Sequence, residues 1–105
     1  VNMSAGKVAV IAKITSLPGK RDELAKALDI AFDNVKTEAG TLYYILHADN
    51  ADETVLWMYE LYTGQEALES HMGSQWFKEW GPSLAPFLGG RPELIFVTPL
   101  AGKGL

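Results

Sequence analysis

Two residues in the second half of the chain have the types and surroundings that proton chemistry needs. Glu60 lies in a strand-like apolar run, flanked by Met58 and Tyr62 on one face. A carboxylate in that setting is costly to bury unless it is paired or used. His71 shares a helical face with Ala67 and Leu68, so its imidazole points toward the sheet and away from water. Imidazole changes charge near neutral pH, which suits it to accept and release protons. The expectation is that Glu60 and His71 meet across strand and helix, with His71 the base and Glu60 the group that fixes its tautomer. A core histidine satisfied by Glu60 or by a backbone carbonyl would look the same in sequence.

Aromatic residues concentrate around this pair. Ten of the eleven Phe, Tyr and Trp residues follow Leu42, which is the placement expected for the lining of a pocket for a flat, aromatic ligand. Tyr44, Tyr62, Trp76, Phe77, Trp80 and Met58 are the candidate substrate-binding residues. Each taken singly could equally fill the core of a small domain. Trp76 and Trp80, four apart on one helical face, read equally as a lid. Tyr44 reads as core or as a phenol donor that orients a substrate oxygen, and His47, near a hairpin end, as solvated.

The elements that must position these residues are legible in the pattern. Val8 to Thr15 is a β-rich run ended by the turn Leu17-Pro18-Gly19. From Lys20 to about Glu38 apolar residues recur at helical steps (Leu24, Ala27, Leu28, Ala31, Phe32, Val35), with Gly40 expected as the C-cap. Lys20, Arg21 and Asp22 read as a charged first turn and no more. Thr41 to His47 is a second strand, Asp49 to Glu53 an acidic hairpin loop, and Thr54 to Tyr62 a third strand. Thr63 and Glu66 have capping-box spacing, which predicts a helix start at Thr63. Ser74 is expected to cap a further turn carrying Trp76, Phe77 and Trp80, bent or interrupted by Pro82 and Pro86. Glu93 to Thr98 is the last strand. The order β-α-β-β-α-β predicts an α+β, ferredoxin-like domain spanning residues 1–105, with a four-stranded antiparallel sheet.

Composition narrows the classes of function. The chain has 105 residues, 48% of them hydrophobic, enough for one domain with a core. A formal charge of -4 and a pI near 5.0 argue against a nucleic-acid or anionic-membrane partner. Without cysteine there is no disulfide, thiolate metal site or cysteine nucleophile, which is compatible with a reducing cytoplasm. Neither histidine has acidic companions at helical spacing, so no metal site is expected. No apolar run reaches membrane-span length, and Val1 to Lys7 lacks a signal-peptide core. The expectation is a cytoplasmic protein.

The strands are apolar on both faces. Val55, Trp57, Tyr59 and Leu61 alternate with Leu56, Met58 and Tyr62, and Val8, Val10 and Ile14 alternate with Ala9 and Ile11. Helices cover one face of a sheet, so the other is expected to pack against a second copy in a homodimer.

Several motifs together resemble the antibiotic biosynthesis monooxygenase (ABM) domains, a family that includes quinol and anthrone monooxygenases. They are Leu17-Pro18-Gly19-Lys20, Glu38-Ala39-Gly40-Thr41-Leu42 with Tyr44, His47 and Asp49, Tyr59-Glu60, Glu66-Ala67-Leu68 with His71, then Ser74, Phe77, Leu84, Pro86, Leu88 and Pro92-Glu93. The resemblance implies a dimeric α+β barrel with a cavity between sheet and helices. It implies cofactor-free oxidation of a phenolic, quinol or anthrone-type substrate by dioxygen. Haem-degrading relatives share the fold, but their iron-ligating histidine falls at Gly81 and their first-strand asparagine at about Ala12. Haem binding, with His71 as an alternative ligand, and a non-catalytic ligand-binding dimer are therefore the alternatives. The tryptophan that anthrone-type members carry at the end of the third strand corresponds to Tyr62.

Overall fold

The computed structural model describes residues 6–105, so most of the expectation about Val1 to Lys7 lies outside the described residues. The strands are β1 (Val8–Thr15), β2 (Thr41–Ala48), β3 (Val55–Tyr62) and β4 (Glu93–Val97). The helices are α1 (Arg21–Leu28), α2 (Ile30–Val35), α3 (Gln65–Met72) and α4 (Gln75–Ser83), followed by a 3₁₀ turn at Ala85–Phe87. The strands form one antiparallel sheet in the order β2-β3-β1-β4. This is the α+β, ferredoxin-like arrangement expected from the sequence.

Side-chain alternation sorts the sheet into two faces. Ala12, Ile14, Leu56 and Met58 pack against Leu24, Leu28 and Ala31 of the first two helices and against Trp80 and Leu84. Val10 and Tyr62 pack against Leu68 of α3. Val10 therefore belongs to the core. Tyr59 lies on the opposite, helix-free face with Tyr43, Ile45, Ile95 and Val97. Part of that face is covered by the chain's own C-terminal segment: residues 98–105 run across it, and the Tyr43 hydroxyl donates to the Gly104 carbonyl at 3.5 Å.

Three local expectations are corrected. The single helix from Lys20 to Glu38 is two helices broken at Asp29, whose N–H is shared between the Ala25 and Lys26 carbonyls. Gly40 is not a C-cap, because α2 ends at Val35. Its value is closeness: a Cβ there would lie 2.5 Å from the Ala67 Cβ, so glycine lets the turn before β2 touch α3. The capping box at Thr63 and Glu66 does not form; α3 starts at Gln65 behind Gly64, without a side-chain cap. The Thr63 N–H donates to the Gly40 carbonyl, which holds that residue to the sheet end.

Other local features follow the residue chemistry. Ser74 caps α4 by accepting from the Phe77 N–H and also donates to the His71 carbonyl, joining α3 to α4. Arg21 does more than charge a first turn: its Nη1 donates to the carbonyls of Asp49 and Asp52, tying α1 to the β2–β3 hairpin. Among the described residues no helix is long and apolar enough to cross a membrane.

Candidate functional site

A cavity of about 380 Å³ opens between the sheet and the helices. Its floor is Ala12, Ile14, Tyr44, Met58 and Glu60, its walls Leu28, Phe77, Trp80 and Gly81, and its rim includes Leu84, Leu88, Arg91, Pro92 and Leu94. The lining is overwhelmingly apolar, with few convergent polar groups, which is the usual make-up of a small-molecule site.

Glu60 is the acid in that lining. The register places it between Tyr44 on β2 and Val10 on β1, in one row across the sheet. It is 7% exposed, and its Oε1 accepts a 2.5 Å hydrogen bond from the Tyr62 hydroxyl. Burial pushes its carboxyl up to about 7; the Tyr62 bond opposes this shift and the charge of Glu38 adds to it. Burial, and then the negative charge of Glu60, push the Tyr44 and Tyr62 phenols well above their ordinary range. Both therefore stay protonated, and Tyr62 donates to Glu60.

His71 is 2% exposed and lies behind this cavity, not in its lining. It sits in an aromatic cage, with ring centroids 5.3 Å from Tyr44, 5.3 Å from Tyr62, 5.4 Å from Trp76 and 5.1 Å from Phe77. Its Nδ1 is 2.8 Å from Glu38 Oε1. Glu38 also accepts from Thr41 Oγ1 at 2.8 Å and from Trp76 Nε1 at 2.9 Å. Burial would raise the Glu38 carboxyl, but the bonds from His71, Trp76 and Thr41 outweigh it and hold the group below the usual carboxylate value. An ionised carboxylate only accepts, so Nδ1 carries a hydrogen and Nε2 is the atom free to take a proton.

The structure thus corrects the expected pairing. Glu38, not Glu60, fixes the His71 tautomer, and Glu60 bonds to Tyr62 instead. Of the residues singled out from the sequence, Tyr44, Met58, Glu60, Phe77 and Trp80 line the cavity. Tyr62, His71 and Trp76 form the layer behind it. Trp76 is anchored behind the cavity and is not a lid, since its indole is bonded to Glu38. Trp80 is anchored too, donating from Nε1 to the Ala27 carbonyl at 2.9 Å. His47 is exposed at the hairpin end of β2.

Glu38 and Arg91 were missed as site residues. The signal for Glu38 was its position three residues before Thr41, a short-range acid and hydroxyl pair, inside a motif already noticed for other reasons. Arg91 brings a positive charge to the rim of the cavity. Gly81 and Ala12, the positions that match the haem-binding residues of relatives, both line the cavity and offer no ligand atom. Among the described residues no group of three or more His, Cys, Asp and Glu side chains is placed to hold a metal ion.

Comparison with known proteins places this geometry in a family. The sequence pattern of the antibiotic biosynthesis monooxygenase family matches residues 7–82, and the chain belongs to that family. A solved structure from Caulobacter crescentus, provisionally named an antibiotic biosynthesis monooxygenase, is 31% identical, with 92% of each chain covered and a TM-score of 0.84. Rv0793 from Mycobacterium tuberculosis is 27% identical over 94% of this chain and 100% of its own, also at 0.84. PA3566 from Pseudomonas aeruginosa is 27% identical over 95% and 100%, at 0.82. None of the curated proteins matches the chain.

Proposed function

We propose that this protein is a monooxygenase that oxidises a small phenolic, quinol or anthrone-type aromatic with dioxygen, without a bound cofactor. The observation that carries the reading is Glu60: a buried carboxyl with its affinity for protons raised to about 7, facing an apolar cavity of about 380 Å³. A carboxyl of that kind is matched to removing a weakly acidic proton at neutral pH. Glu60 takes the role of base because it lines the cavity, and His71 supports it from behind.

The chemistry asks little else of the protein. Deprotonation of the substrate leaves an electron-rich aromatic anion. One electron passes to dioxygen, the resulting radical pair joins as a peroxide anion on a hydrogen-bearing ring carbon, the proton held by Glu60 returns to make the hydroperoxide, and loss of water leaves a carbonyl. One oxygen atom stays on the product and the other leaves as water, so atoms and electrons balance. Phe77, Trp80, Met58 and Leu28 hold a flat ring and exclude bulk water, and the Tyr44 phenol donates to a substrate oxygen. Arg91 at the rim stabilises negative charge on the bound anion.

The same reading includes a homodimer through the helix-free face. Ile45 is 46% exposed there, and Ile95 and Val97 of β4, on the same face, are 48% and 39% exposed. An apolar surface of that extent is expected to meet a partner.

The test is oxygen uptake by metal-free protein against a panel of hydroquinones, naphthohydroquinones and anthrones. Turnover that Glu60→Gln abolishes supports the reading. Tight haem binding with a Soret shift supports the haem alternative, and ligand binding without oxygen uptake makes the protein a binding module.

A further inference from the structure

His71 Nε2 is buried and has no hydrogen-bond partner among the described residues, although the other ring nitrogen is bound firmly to Glu38. Leaving a buried nitrogen unsatisfied is costly, so such an atom calls for an explanation. Beside it lies a small cavity of about 30 Å³, walled by Val10, Glu60, Leu68, His71, Phe77 and Leu94 among others. In that wall only Glu60 and His71 carry nitrogen or oxygen in their side chains. That space is large enough to admit a water molecule. Glu60, Phe77 and Leu94 also wall the large cavity, so these side chains border both spaces. On the far side, Glu38 and His71 border a pocket of about 300 Å³ with Thr37, Gly40 and Ser70.

We infer that a single water held between Glu60 and His71 Nε2 joins the two, so that Glu60, the water, His71 and Glu38 form a proton relay from the substrate cavity to solvent. The inference rests on the reading of Glu60 as the base. A bound ring fills the large cavity and seals the front of Glu60, and the relay gives that carboxyl a second route to solvent. Outward, Glu60 gives its proton to the water, the water gives one to Nε2, and the Nδ1 proton passes to Glu38 Oε1 and leaves. Inward, the sequence reverses and restores the Nδ1–H tautomer, delivering the proton that the departing water molecule of the oxidation requires. The charged and titratable groups that face these atoms are Glu38, Glu60, Tyr44 and Tyr62, and the two phenols remain protonated throughout.

The test has a structural, a spectroscopic and a kinetic readout. Diffraction data that resolve ordered solvent should show one water within hydrogen-bond distance of His71 Nε2 and of the Glu60 carboxyl; a dry cavity overturns the proposal. In ¹⁵N spectra the His71 Nε2 signal should shift as Glu60 titrates, and Glu60→Gln should abolish that shift. An Nε2 signal indifferent to the Glu60→Gln change overturns the coupling. In the kinetic readout Glu38→Ala should lower kcat by about tenfold with KM nearly unchanged, and added formate should restore it with an efficiency that follows the acidity of the added acid. A Glu38→Ala protein that keeps wild-type kcat means that Glu60 holds the proton until it is returned, and the relay fails. A loss that small acids do not rescue means that Glu38 is structural only. If wild-type protein consumes no oxygen with any substrate in the panel, the monooxygenase reading fails, while the first two readouts still decide the relay.

Discussion

Glu38 and His71 lie 33 positions apart in sequence and meet at 2.8 Å, tying the turn before β2 to the last turn of α3. This contact orients the imidazole whose free nitrogen faces the buried side of the site. Glu38 accepts two further bonds, so removing its carboxylate strands the Trp76 indole as well. Glu38→Ala is expected to destabilise the fold by roughly 2 kcal/mol, measured by urea unfolding at pH 7. The folded-state affinity of Glu38 for protons is lowered, so its contribution is present above the ordinary carboxylate range and is lost as pH falls through the folded value. The difference between wild type and Glu38→Ala should therefore shrink in acid, and a difference that does not shrink as the pH falls would show that the carboxylate charge is not its source.

Glu60 has the opposite sign. Its folded value of about 7 lies above that of an ordinary glutamate, so the unfolded chain gives up the proton first as pH rises. Stability then falls between about pH 4.5 and pH 7 and levels off beyond. Glu60→Gln keeps an oxygen to accept from Tyr62 and removes the ionisation. It should unfold later than wild type at pH 8, by on the order of 2 kcal/mol, and match it near pH 4. The same substitution should cost turnover about a hundredfold or more, and the wild-type rate should rise with pH through about 7. A stabilised yet fully active Glu60→Gln would separate the buried acid from the chemistry.

How much of this was legible in the sequence varied with the range of the interaction concerned. β1 was bounded at both ends, because a β-rich run meets the turn Leu17-Pro18-Gly19 and Gly19 supplies the positive φ, 76°, that the turn needs. The Ser74 cap was legible for the same local reason. The break at Asp29 was not, since the apolar periodicity runs through it from Leu28 to Ala31. The Glu38 site was hidden because its partners His71 and Trp76 stand 33 and 38 positions away. Glu60 and His71 do approach, walling one small cavity, but the direct bond does not form: strand alternation places Glu60 and Tyr62 on the same face, two residues apart, and the nearer phenol takes it.

The close approach of Gly40 to α3 gives a test of packing independent of catalysis. Gly40→Ala puts a methyl 2.5 Å from the Ala67 Cβ, a distance that forces α3 outward. The expected cost is about 1–3 kcal/mol. Because α3 carries His71, thermal melting should be accompanied by a change in the His71 ring signals. Ala67→Gly should recover most of the stability in the double variant, since it removes the atom that clashes. Additive losses in Gly40→Ala, Ala67→Gly would mean that the space at this contact is not what glycine provides.

The helix-free face offers the last test. Ile45 is 46% exposed in the single chain, and an aspartate at such a position in a monomer would change stability by no more than about 0.5 kcal/mol. In a dimer joined through this face the same aspartate would be buried without a partner, at a cost of several kcal/mol. Ile45→Asp is therefore expected to shift sedimentation from dimer to monomer at micromolar protein. The melting temperature of wild type should rise with protein concentration while that of the variant does not. Ile95→Asp, on β4 across the same face, should act alike. If wild type sediments as a monomer, or if both variants remain dimeric, the partner does not bind here, and the C-terminal segment that crosses the sheet beside Tyr43 is all that covers it.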